Sequence, residues 1–111
     1  MALQEKQLGQ IRPANTSPAS LYSPGTSTTA IIKSITICNN TNQTVLASVF
    51  LDDDGSDYTE NTALYFEVEI PAKTTVINDS FYAMNNSNGN LGVQSSVANA
   101  LTFTACGAEV T

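Results

Sequence analysis

Residues 29–38, T-A-I-I-K-S-I-T-I-C, hold four isoleucines and two threonines with neither proline nor glycine among them. β-Branched side chains are stiff at χ1 and pack well on a pleated surface, so this stretch reads as a strand. Ile35 and Ile37 share one face and Ser34 and Thr36 the other, the period of two of a half-buried strand. The alternation slips at Ile31-Ile32-Lys33, which implies a bulge or an end covered on both faces.

The remaining segments read as further strands laid beside or opposite this one. Residues 44–51 put Val45, Ala47, Val49 and Leu51 on one face, while Leu46 and Phe50 make the other face largely apolar too. Such a strand is central in a covered sheet or has its outer face against a partner. The turn Asn39-Asn40-Thr41-Asn42 suggests a hairpin between it and residues 29–38. Residues 63–70 alternate, with Leu64, Phe66, Val68 and Ile70 one way and Tyr65, Glu67 and Glu69 the other, the pattern of a strand with one wet face. A shorter strand is expected at 74–78, an apolar cluster at Phe81, Tyr82 and Met84, and further strands at 91–97 and 101–105. No window has a helical period, and there is no internal repeat. Seven or eight short strands at roughly ten-residue spacing predict an all-β fold, an antiparallel β-sandwich or jelly roll.

At 111 residues the chain is one domain. Residues 1–28 differ from the rest, with Leu8 and Ile11 the only large apolar residues between Leu3 and Leu21. So few apolar groups do not offset the entropy of ordering unless the segment lies on something else. It reads as an extended N-terminal arm, either frayed or ordered against a neighbouring subunit, with a possible short strand at 19–23 closed by Pro24-Gly25. Residues 29–111 would then form the sandwich. Leu8, Ile11, Arg12, Leu21 and Tyr22 are the arm's candidate contacts, and the arm is expected to matter for attachment rather than folding. Leu46, Phe50 and Tyr65 are candidate contacts on the body, because a single sandwich would leave them wet.

Several function classes are disfavoured by composition. There is no histidine, which removes the commonest general base and metal ligand. Neither a G-x-S-x-G elbow nor a phosphate-binding glycine loop is present, so an enzyme is not expected. The net charge of −6, with four scattered cations, argues against nucleic acid and anionic membrane as partners. No apolar run approaches the roughly 18 residues of a membrane span. The N-terminus lacks the basic and apolar regions of a secretory signal. Cys38 and Cys106 do not define a disulfide framework; in a protein made in the cytosol they should be reduced, although neighbouring strands could bring them together.

The acidic loop at residues 52–61 carries Asp52, Asp54 and Asp57, candidate Ca²⁺ ligands around Gly55. EF-hand spacing fails: aligning Gly55 with the loop glycine puts Phe50 at the first ligand position and Asn61 where a bidentate Glu belongs. The preferred reading is a solvated hairpin tip, and no cofactor or metal is expected.

The runs L-G-Q-I-R-P (8–13), S-L-Y-S-P-G-T (20–26), I-I-K-S-I-T-I-C-N-N-T (31–41) and L-T-F-T-A-C-G-A-E-V-T (101–111) resemble small structural proteins of tailed bacteriophages. The resemblance covers most of the chain and rests on strand patterns. It implies a non-enzymatic virion part with a β-sandwich body, made in the host cytoplasm and working as an oligomer. Within that family the expected role is a capsid decoration or cement protein whose partner is the major capsid protein or another virion protein. The alternatives are a tail, neck or fibre-associated module, or a virion-surface carbohydrate- or receptor-binding sandwich with Tyr58, Tyr65 and Tyr82 as stacking candidates. A trimer is favoured among oligomers because capsid lattices offer local three-fold axes, an argument that comes from the resemblance.

Overall fold

The computed structural model describes residues 2–111, with Ser80 described by its backbone alone. Eight strands follow one another: β1 (Leu3–Ile11), β2 (Ala19–Tyr22), β3 (Thr29–Asn39), β4 (Val45–Asp52), β5 (Ala63–Ile70), β6 (Thr74–Met84), β7 (Asn90–Ser95) and β8 (Leu101–Val110). A single 3₁₀ turn, Glu60–Thr62, interrupts the β4–β5 loop. The strands form two four-stranded antiparallel sheets in the orders β1-β8-β3-β6 and β2-β7-β4-β5.

The pairings β1·β8, β2·β7, β3·β6 and β4·β5 describe one long hairpin folded about the β4–β5 loop. Successive rungs of that hairpin fall in opposite sheets, which is the winding of a jelly roll. The expected all-β sandwich is therefore what the chain forms. Between the sheets lie Ile32, Ile35, Ile37, Val45, Ala47, Val49, Ile70, Met84, Leu91, Val93, Leu101 and Phe103, all buried.

The expected hairpin between residues 29–38 and 44–51 does not form. β3 bonds to β6 and β8 while β4 bonds to β5 and β7, so the chain crosses from one sheet to the other at residues 40–44. Asn39 holds the crossing. Its buried amide donates to the carbonyl oxygens of Gln43 (2.9 Å), Ile70 (2.9 Å) and Pro71 (3.1 Å), and its Oδ1 accepts from the Thr41 backbone N–H (3.0 Å) and hydroxyl (2.7 Å). One side chain thus joins the β3–β4 crossing to the β5–β6 turn. Replacing Asn39 by alanine leaves several groups there without partners, each costing about 1–3 kcal/mol if it stays buried. The expected loss is about 2–4 kcal/mol in a denaturant titration, whereas Asn40→Ala, at an exposed position, should leave the midpoint unchanged.

Residues 2–28 of the expected arm 1–28 do not lie outside the sandwich, and Met1 falls outside the described residues. β1 pairs with β8 from Leu3↔Val110 to Ile11↔Phe103, and β2, close to the short strand expected at 19–23, pairs with β7. The apolar residues of β1 are few because it is an edge strand with one wet side, not because it lacks a place in the sheet.

The slip at Ile31-Ile32-Lys33 is a bulge: Ile32 pairs with Gly107 and Ser34 with Cys106, leaving Lys33 as the extra residue. Cys106 stands opposite Ser34 and Cys38 opposite Thr102, so the two thiols are separated along the strands and both are free. Among the described residues no helix is long and apolar enough to cross a membrane.

Candidate interaction surface

Most residues expected to touch partners are used by the sandwich itself. Leu21 is buried, and Leu8, Ile11, Tyr22 and Tyr65 are partly buried against the core. Arg12 donates from its guanidinium to the Asn99 carbonyl oxygen, tying the β1–β2 link to the β7–β8 turn. Phe50 is fully buried, but not by a partner: Tyr58 of the β4–β5 loop packs on it with ring centroids 6.0 Å apart. Of the stacking candidates, Tyr58 covers Phe50 while Tyr65 and Tyr82 pack against the core. Leu46 alone among the candidates lines a surface cleft, of about 220 Å³, with Thr16, Ser48, Glu67, Gln94, Ser95 and Ser96.

The runs 8–13, 20–26 and 101–111 hold fastenings between the N-terminal strands and the body. Tyr22 on β2 donates its hydroxyl to the Glu109 carboxylate on β8, and Lys6 on β1 pairs with the same carboxylate at 3.1 Å. Gly9 lies so close to β2 that a Cβ would stand 2.3 Å from the Leu21 carbonyl oxygen. Sequence reasoning assigned Glu109 and Gly9 no role. Gly9 stands in the run 8–13 and Glu109 in the run 101–111, which was the available signal.

The hydrogen bond from Tyr22 and the contact with Lys6 hold the Glu109 carboxyl below its ordinary value of 4.5. Burial, followed by the hydrogen bond to Glu109, pushes the Tyr22 phenol above its ordinary 10.0. A lowered carboxyl contributes stability that is present above the unfolded value and lost as pH falls through the folded one. A raised phenol contributes stability present below the unfolded value and lost as pH rises through the folded one. Tyr22→Phe should therefore cost about 1–2 kcal/mol at pH 7, where both contributions are intact. The difference from the parent should shrink below pH 4.5 and again above pH 10 in pH-dependent chemical denaturation.

In the acidic loop the Asp52 carboxylate accepts the backbone N–H groups of Asp57 (2.8 Å) and Asp54 (3.2 Å). Those bonds lower the Asp52 carboxyl, and a hydrogen bond with Asp52 together with its charge raises that of Asp54. Asp52 thus organises the loop, and Asp57 contributes a backbone donor rather than a side-chain contact to that arrangement. Among the described residues no three His, Cys, Asp or Glu side chains are grouped to hold a metal ion.

The unpartnered apolar surface lies elsewhere, on the sheet edges. Among the described residues the exposed large apolar ones are Phe66 and Val68 on β5, Ile77 and Phe81 on β6, and Leu3 on β1. β5 ends one sheet and β6 the other, and the two strands touch, so four of the five lie along one edge of the sandwich. On each strand the phenylalanine reaches this state through a bulge. On β5, Phe66 and Glu67 intervene between Tyr65 and Val68 where β4 has only Ser48, and Glu67 takes φ 53°. The expected alternation of residues 63–70 is broken there: Tyr65 lies opposite Val49 and packs inward, while Phe66 is 44% exposed. The Ser48 hydroxyl accepts the freed Glu67 N–H at 3.0 Å. On β6, Ser80 and Phe81 intervene between Asp79 and Tyr82 where β3 has only Lys33, and Phe81 is 71% exposed. Bulges re-aim side chains at sheet edges, and here each carries a phenylalanine into solvent.

The chain matches no protein-family model and no curated protein. Among solved structures it is similar to chains of infectious bursal disease virus. One, from the Gx strain, has TM-score 0.47 and 10% identity over 97% of this chain and 32% of that one. Another, from the Gt strain, has TM-score 0.40 and 11% identity over 97% of this chain and 28% of that one. This chain therefore spans about a third of the length of those viral chains, and similarity of this degree says nothing of function.

Proposed function

We propose that the chain is a non-enzymatic structural protein of a tailed-phage virion, a decoration protein that binds assembled coat protein as a homo-oligomer, three copies being favoured. The observation that carries this reading is the set of exposed Phe66, Val68, Ile77 and Phe81 on the two strands that end the sheets along one edge of the sandwich. Apolar surface of that kind marks a contact surface, since monomers seldom expose it. The absence of histidine from the sequence and the run-by-run resemblance to phage structural proteins support a mechanical role over a chemical one.

The mechanism requires only attachment. Each copy adds contact area across a seam between capsomers, and copies joined to one another engage several seams at once, so weak single contacts combine into a strong one. The test mixes purified protein with coat shells that lack it and measures co-sedimentation and the temperature of shell disruption. Saturable binding with a raised disruption temperature is the expected result. Failure to sediment with shells would overturn the decoration role, and binding confined to a vertex or to tails would replace it with a neck or tail role.

A further inference from the structure

We propose that the β5/β6 edge is the self-assembly surface and that it receives the β1 edge of a second copy, so that copies join head to tail. This deepens the oligomer reading above and rests on it. Among the described residues the five exposed large apolar side chains all stand on edge strands, four on the β5/β6 edge and Leu3 on β1 at the opposite edge. A sheet edge also offers unpaired backbone N–H and C=O groups, the natural template for another strand.

Strand direction permits the head-to-tail contact. Every neighbouring pair in the sheet β1-β8-β3-β6 is antiparallel, so β1 and β6 run in opposite directions. A copy translated along the sheet therefore presents β1 to β6 of its neighbour in the antiparallel sense.

Charge selects this contact over a two-fold pairing of like edges. The segment from β5 through β6 carries Glu67, Glu69 and Asp79 against Lys73 alone, whereas β1 and the residue after it carry Lys6 and Arg12 against Glu5, with Glu109 of β8 paired to Lys6. A two-fold contact through the β5/β6 edge would face acids with acids, and like charges brought together across an interface are strongly disfavoured. The head-to-tail contact faces the acidic edge with an edge whose charges balance, and so avoids that repulsion. Contacts of this heterologous kind close into rings when the rotation between copies permits.

Two variants and their mixture test the surface. Ile77→Glu with Phe81→Glu blocks the receiving edge and leaves β1 intact; Leu3→Glu with Lys6→Gln blocks β1 and leaves the receiving edge intact. All four positions are exposed, so circular dichroism should show each variant folded. By light scattering at tens of micromolar, the parent should have a mass near three times 11.7 kDa and each variant alone a mass near 11.7 kDa. An equimolar mixture should contain a species of twice 11.7 kDa, because one intact contact remains between unlike copies. A parent of single-chain mass would overturn both the oligomer and this surface. An oligomer that survives either variant, or a mixture that stays monomeric, would keep the oligomer and overturn the head-to-tail contact.

Discussion

Gly107→Ala is expected to be among the most damaging single substitutions in the chain, costing more than about 3 kcal/mol and lowering the melting temperature by 10 °C or more. Gly107 sits on β8 at the bulge opposite Ile32. A Cβ there would lie 1.9 Å from the Ile31 carbonyl oxygen and 3.1 Å from the Ile32 Cα. Both are backbone atoms of the neighbouring strand, so no rotamer change relieves the clash. β8 is flanked by β1 and β3, and a shift large enough to admit the methyl group disturbs both ladders. Gly25→Ala, where the nearest atom to an added Cβ is a threonine hydroxyl at 3.5 Å, is the control and should change the midpoint little. Thermal melts of the two variants followed by circular dichroism check this, and comparable midpoints would show that β8 accommodates the methyl.

Deletion of residues 1–12 is expected to lower the melting temperature by at least 10–20 °C or to prevent folding, the reverse of what an arm outside the body would do. The deletion removes the partner of β8 along one whole side. It also takes Leu8 and Ile11 from the core and breaks the Lys6–Glu109 and Lys33–Glu5 pairs. Half-burial of two such side chains contributes roughly 1.5–3 kcal/mol together, and the lost ladder adds to it. Against a total stability of about 5–15 kcal/mol for a domain, that is a large fraction. A truncated chain that melts within a few degrees of the parent would contradict the placement of β1 in the sheet.

The fold class was legible in the sequence because its main cues are local. Residues 29–38 announced a strand through their β-branched content, and the adjacent Ile31 and Ile32 announced the bulge that the ladder contains at Lys33. Topology was less legible. An asparagine-rich link between two apolar strands suits a hairpin and a sheet crossing equally, and what decides is the Asn39 amide meeting carbonyls about thirty residues away. β5 misled for a different reason. Its alternation of apolar and polar residues is clean, yet the bulge at Phe66 and Glu67 reverses the facing, and Glu67 at φ 53° carries no glycine to signal it.

The exposed apolar residues are not the ones the sequence pattern singled out, for a related reason. Leu46 and Phe50 make the second face of β4 apolar, and there Phe50 is covered by the chain's own Tyr58 while Leu46 lines a surface cleft. Exposure moved instead to Phe66 and Phe81, residues whose pattern pointed them inward or into a cluster. The N-terminal segment looked poor in apolar residues because its attachment is carried by backbone pairing, by the close approach of Gly9 to Leu21, and by the Tyr22–Glu109 hydrogen bond. None of these leaves a hydrophobic period to read.

The central proposal, that this sandwich is a decoration protein of a virion shell, is tested most directly by its copy number in purified particles, measured against coat protein by quantitative mass spectrometry. On the order of hundreds of copies per particle, in fixed ratio to coat protein, is the predicted result. Absence of the chain from particles that package normally would contradict it.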